Sequence, residues 1–191
     1  MINKAHDLGY ETTANIMAIS TETEPDIGIA LVKLAESPVD VVYAVDSFGA
    51  LYCEQVKNLV HLFKKHLSGK EIGIPCPNSL QLEFADTIEG ITQGAVFADG
   101  SLYEMGRGSG NCCLMLLMAF LENPKLNLTP ILEVIKDYIR PMRKDFEWGY
   151  IIPYIITGML NEHPRSAMAM RKTADKENYA QFYKKMRDAV T

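Results

Sequence analysis

Residues 71–90 read EIGIPCPNSLQLEFADTIEG, and this stretch decides the fold. Ile72 to Cys76 is a short apolar run bounded by turn residues, which predicts a buried strand. Pro77-Asn78-Ser79 is a turn. Beyond it Leu80, Phe84, Ile88 and Ile91 recur on one face, which predicts a helix. In a strand-then-helix unit the residues at the strand's C-terminal tip point into the mouth of the sheet, where chemistry sits in α/β folds. Here the tip residues are Pro75, Cys76 and Pro77. Neither proline can ligate a metal or move a proton.

The same unit repeats on both sides. Upstream, Asn3 to Gly9 reads as the tail of a helix ending at a glycine. Thr12 to Ile19 reads as a strand. Glu24 to Glu36 reads as a helix, with Pro25 in its first turn and Ile27, Leu31 and Leu34 on its apolar side. Val39 to Val45 is a near-continuous apolar run, as a parallel strand covered on both faces requires. It leaves through Asp46-Ser47-Phe48-Gly49. Glu54 to Leu67 is then helical, with Val56, Leu59, Val60 and Phe63 on the buried side. Downstream, Ala95 to Ala98 starts a fourth strand that exits through Asp99-Gly100-Ser101-Leu102. A glycine-rich loop, Gly106 to Asn111, opens an apolar helix from Cys112 to Leu121. Strict alternation of strand and helix predicts parallel βα units with right-handed crossovers. Beyond Asn123 only helices are predicted: Thr129 to Lys144 interrupted by Pro141, Gly149 to Asn161, and Asp175 to Val190. The expected division is therefore 1–123, a partial barrel domain, and 124–191, a helical extension packed on it.

Composition narrows the function classes. A chain of 191 residues can bury one sizeable core. Its net charge of −5 gives no general attraction to nucleic acid or anionic membrane. It has no apolar run long enough to span a bilayer and no signal-peptide pattern at the N-terminus. Cys53, Cys76, Cys112 and Cys113 show no CxxC spacing, so the expectation is reduced thiols in the cytoplasm.

Several residues are candidates for chemistry. The Gly106 to Asn111 loop could hold an anion at the following helix N-terminus, with Arg107 gripping a carboxylate in bidentate fashion; a plain tight turn is the alternative. Asp46 and Asp99 sit at strand exits, where carboxylates either serve acid–base and metal chemistry or fix their loops. His6, His61, His66 and His163 have no metal-ligand spacing and read as surface or structural residues. Cys76 could act as a nucleophile, but no neighbouring histidine in sequence activates it, and a small buried residue is the plainer role. Cys112 and Cys113 read as packing residues.

Four stretches together resemble one family: GIPCPNSLQLEFADTIEG, DGSLYEMGRGSGN, DSFGAL and EWGYIIPYIITGMLNEHPR. They are similar to the metal-dependent aldolase and acyltransferase family of 3-hydroxy-3-methylglutaryl-CoA lyase, 4-hydroxy-2-oxovalerate aldolase and isopropylmalate synthase. The resemblance implies a (β/α)8 TIM barrel with a helical C-terminal extension, of which this chain holds strands five to eight. It also implies a carbon–carbon lyase acting on small 2-oxo acids, with a divalent metal (Mg, Mn or Zn) as Lewis acid. The family's His-x-His ligands fall on Pro75 and Pro77. Its first-strand aspartate falls upstream of Met1. Asn111 alone matches a metal ligand, and Asp46-Ser47 matches the family's exit loop after strand six. The expectations are therefore these. No metal is held by this chain alone, and its activity is impaired. Asp46, Ser47 and Arg107 are the catalytic candidates, and Arg107, Gly108, Ser109 and Gly110 cradle the anion. A small 2-oxo acid or carboxylate is the ligand, and the assembly partner is a second copy or a complementary half-barrel chain. The alternative is a non-catalytic remnant or interaction module.

Overall fold

The structure is a computed structural model that describes residues 2–74 and 77–190. The expectations placed on Pro75 and Cys76 thus lie outside the described residues. Helix α1 (Ile2–Asp7) leads into strand β1 (Thr13–Ile16) and a 3-10 turn at Ile19–Thr21. The chain continues through α2 (Glu24–Ala35), β2 (Val41–Ala44), α3 (Cys53–His66), β3 (Glu71–Ile74), α4 (Glu83–Thr92) and β4 (Phe97–Ala98). A second 3-10 turn, Leu102–Glu104, precedes α5 (Leu114–Leu121) and α6 (Leu128–Val134). A π-helical segment, Ile135–Ile139, joins α6 to α7 (Arg140–Met142), and α8 (Ile152–Met159), α9 (Arg165–Met170) and α10 (Tyr179–Val190) follow.

The chain divides into two compact units. The first comprises 1–47, 51–76 and 85–99; the second comprises 48–50, 77–84 and 100–191.

In the first unit the four strands lie in the order β1-β2-β3-β4, all pairs parallel. This is the expected βα repeat, with Thr13 opposite Val41, Val41 opposite Glu71 and Gly73 opposite Phe97. The central strand β2 is almost wholly buried, as its unbroken apolar run requires. Helix α2 starts at a Thr23 cap that accepts the Asp26 amide, with proline in its first turn. It buries Ile27 and Leu31. Helix α3 buries Val56, Val60 and Phe63. These side chains, with Val42, Ile72 and Ile74, form one core. Asp40 ties β1 to β2 by accepting both the amide and the hydroxyl of Thr12, at 2.6 and 3.0 Å. Among the described residues, strands β1 and β4 each have one neighbour.

Helix α4 departs from expectation. Its buried positions are Glu83, Asp86, Thr87 and Gly90, whereas Phe84, Ile88 and Ile91 are only half-buried, and Leu80 lies in the preceding turn. Gly90 explains the inward face: a Cβ there would come within 2.8 Å of the Ile74 side chain. The helix backbone packs directly on β3, and small or polar residues take the inner positions that the apolar periodicity pointed away from.

The second unit has two smaller clusters. Ile135, Ile139 and Trp148 form one, and Ile151, Tyr154 and Ala167 form the other. Pro141 does not interrupt its helix. It sits in α7, just past the π-helical turn, where the shift from i−4 to i−5 pairing removes the demand for the N–H that proline lacks. Helix α5 starts at Leu114 rather than Cys112, because Cys113 is held in a parallel bridge with Ser101. Helix α9 was not expected from the sequence.

Candidate functional site

Strand β2 delivers Asp46 and Ser47 to its C-terminal end in the first unit. Asp46 is buried, and its Oδ2 accepts the Leu51 amide at 2.8 Å. Ser47 Oγ accepts the Ala18 amide at 2.9 Å. Both side chains therefore bind backbone and hold the exit loop in shape. Close to them lies a pair that sequence spacing did not reveal. The Cys53 thiol, at the start of α3, donates to the Asp86 carboxylate on α4. Burial pushes Asp86 up to about 6; the thiol hydrogen bond opposes this and the Asp46 charge adds to it. Burial pushes the Cys53 thiol up to about 11, with the Asp86 hydrogen bond and charge in the same direction. Both influences disfavour the Cys53 thiolate, the form a nucleophilic cysteine needs. Asp86 Oδ1 is buried with no hydrogen-bond partner among the described residues.

Asp99 is fixed in its loop by a neighbour. It accepts the Tyr43 hydroxyl at 3.3 Å. Tyr43 lies flat over Gly73, where a Cβ would approach its ring to 2.5 Å. Burial raises the Asp99 carboxyl above its ordinary range, and the Tyr43 hydrogen bond pulls it back.

The glycine-rich loop lies in the second unit. Gly110 has φ +83° and a Cβ there would meet the Glu104 carbonyl at 2.4 Å, so only glycine fits. Its carbonyl accepts the Asn78 amide at 3.0 Å, and Pro77 and Asn111 form an antiparallel bridge. Ser79 and Ser109 hydroxyls meet at 3.1 Å in a buried position. The Asn111 amide N–H goes to the Glu104 carbonyl, and its side chain lies over Gly106, where a Cβ would meet Nδ2 at 2.6 Å. Gly108 and Gly110 are buried, and Arg107 is exposed. Among the described residues Arg107 has no ion-pair partner.

Below this loop is a cavity of about 780 Å³. Arg107 and Gly108 form one side of it, with Trp148, Tyr154, Met168 and Arg171 among its other walls. Arg171 pairs with Glu147 and stacks on the Tyr154 ring. The Trp148 indole N–H donates to the Tyr103 carbonyl at 2.9 Å.

His163 Nδ1 accepts the Arg165 amide at 3.1 Å, so the ring is neutral with its proton on Nε2, and it stacks edge-on against Phe48. Burial lowers its pKa, and Arg165 and Arg107 lower it further. His61 shares a hydrogen bond with Gln93 at 2.9 Å. Among the described residues, no three His, Cys, Asp or Glu side chains are placed to hold a metal ion. The family's metal does not fit the residues present: the Pro77 side chain offers no donor atom, which leaves Asn111 as the one described residue at a family ligand position. Asp46 and Ser47 belong to one unit and Arg107 to Asn111 to the other. No helix among the described residues is long and apolar enough to cross a membrane.

No family model matches the chain. It is 32% identical over 146 residues to the 4-hydroxy-2-oxovalerate aldolase of Geobacillus stearothermophilus, covering 74% of this chain and 42% of that protein. It is 33% identical over 122 residues to the oxaloacetate decarboxylase of Mycobacterium tuberculosis, covering 63% of this chain and 36% of that one. The crystal structure of the N-terminal domain of a Bacteroides vulgatus protein described as an aldolase superposes with a TM-score of 0.78 at 27% identity, covering 94% of this chain and 60% of that chain. The chain thus spans less than half the length of the curated relatives it matches. Its four-stranded parallel sheet with flanking helices matches part of a TIM-barrel-like aldolase domain.

Proposed function

Since the chain is kin to the aldolase family of 4-hydroxy-2-oxovalerate aldolase over part of that family's length, we propose that it is a half-barrel of a carbon–carbon lyase for small 2-oxo acids, inactive or impaired by itself. The observation that carries this reading is the bridge between Pro77 and Asn111. The resemblance assigns both positions to metal ligands, and the bridge sets them side by side. On this reading the chain keeps Asn111 while prolines, Pro75 and Pro77, stand at both His-x-His positions.

In the family a bound divalent metal supplies a Lewis acid for the 2-oxo group. What the chain retains is the grip on substrate: Arg107, without a carboxylate partner, offers a bidentate contact to the acid's carboxylate. Aldol cleavage of a 4-hydroxy-2-oxo acid removes the C4 hydroxyl proton and breaks the C3–C4 bond. The electron pair passes to the enolate of the released 2-oxo acid.

A second part of the reading is association. Among the described residues strands β1 and β4 each carry an unpaired edge, and Met17, just after β1, and Ile29 and Val32 on α2 are exposed. A complementary half-barrel or a second copy would cover them. The test is a coupled assay for 2-oxo acid release from 4-hydroxy-2-oxovalerate, with manganese present. The chain alone is expected to match the blank. A Pro75→His, Pro77→His variant mixed with a relative's N-terminal half-barrel is expected to turn over. Turnover by the unmodified chain alone would refute the proposal.

A further inference from the structure

The cavity in the second unit is much larger than a small 2-oxo acid requires; about 300 to 1,000 Å³ is the range of pockets that enclose drug-sized ligands, and this one holds about 780 Å³. Aromatic side chains form part of its wall. Tyr154 is buried and packs directly on Gly108, where a Cβ would strike its ring at 2.6 Å. The Gly149 amide clamps the Gly108 carbonyl at 3.0 Å, and Trp148 is buried beside it. The loop that presents Arg107 therefore rests on the aromatic floor of the cavity through its very next residue. Phe146 also lines the cavity, yet it is 62% exposed, a large ring with solvent where packing would be expected. Charge on the lining is uneven. Arg171 is committed to Glu147 and Tyr154, but Arg107, Lys172 and Lys176 have no ion-pair partner among the described residues. Glu177 is the one lining carboxylate besides Glu147.

An aromatic floor, an uncovered ring at the side and a cationic rim suit a ligand with an anionic head and a bulky apolar body. We propose that this cavity selects 2-oxo acids carrying a large apolar or aromatic substituent, with the carboxylate on Arg107 and the body between Phe146 and the Trp148–Tyr154 floor. This deepens the proposed function and rests on its assignment of Arg107.

The test uses the full chain and compares pyruvate with 2-oxo-4-phenylbutanoate by calorimetry. The emission of Trp148, the only tryptophan in the chain, is followed in parallel. The neutral ketone 4-phenylbutan-2-one is the control. The expected result is about tenfold or tighter binding of the phenyl acid over pyruvate, since a phenethyl body buries far more apolar surface than a methyl group. A shift in Trp148 emission accompanies it, and the ketone binds at least about tenfold more weakly than the phenyl acid. Arg107→Ala is expected to weaken both acids, and Phe146→Ala to bring their affinities closer together. Both side chains are exposed, so neither variant disturbs the core. Equal affinities for the two acids, both lost in Arg107→Ala, would overturn the size selection and leave the carboxylate site standing. Equal binding of acid and ketone would overturn the proposal as well, by showing an apolar site without a carboxylate head. No binding of either acid would remove both this proposal and the Arg107 assignment.

Discussion

Replacing Asp86 by asparagine tests the buried pair in the first unit. Asparagine keeps the shape of the side chain and an oxygen that can accept the Cys53 thiol, but it removes the titration. The carboxyl moves from 3.8 to about 6 on folding, chiefly by burial. Between those values the folded chain holds more protons than the unfolded one, so stability falls as pH rises through that window. The contribution is fully present below pH 3.8 and is lost as pH passes about 6. At 1.36 kcal/mol per pH unit the displacement corresponds to about 3 kcal/mol, which we reduce to about 2 kcal/mol for screening by nearby water. Urea denaturation from pH 4 to pH 8 provides the assay. Asp86→Asn is expected to equal the unmodified chain near pH 4 and to exceed it by about 2 kcal/mol at pH 8. Taking the difference between the two proteins cancels the titration of most other carboxylates. A difference that stays flat across this range would refute the reasoning, and would mean that Asp86 keeps an ordinary pKa in the folded chain.

Three further outcomes are expected. Cys53→Ala removes the thiol that favours ionised Asp86, so the Asp86 transition should move to higher pH in the same denaturation series. Gly108→Ala places a Cβ at φ +70° within 2.6 Å of the Tyr154 ring and is expected to lower stability by about 1–3 kcal/mol, measured by chemical denaturation. Light scattering over a wide concentration range should find the isolated chain oligomeric or aggregating, because β1 and β4 are open edges; a compact monomer throughout would count against that.

The sheet was legible because its signal is local. The run from Val39 to Val45 and the segment from Glu71 identify themselves as buried parallel strands, and the order and direction of the strands follow from the βα alternation. Helix α4 was half legible. Its period was right, but what faces inward is set by the close approach of Gly90 to Ile74, a contact that apolar counting cannot see. Pro141 misled for a related reason, since the π-helical turn before it cancels the usual cost. At the sites, Arg107 and the glycines were visible as a motif. The Cys53–Asp86 pair was not, because its members are far apart in sequence and neither forms part of a recognisable spacing. The aromatic floor under Gly108 was hidden in the same way: Tyr154 reads as one more apolar position on a helix until the fold sets it against the loop.

The most direct test of the central claim is the metal content of the purified, unmodified chain. The protein is equilibrated with magnesium, manganese and zinc in turn, freed of unbound ions, and measured by elemental analysis. Well below one metal ion per chain is expected in every case, since the Pro77 side chain offers no donor and Asn111 is left as the one described residue at a family ligand position. About one tightly held ion per chain would contradict it, and would mean that donors outside the family's pattern complete a working centre.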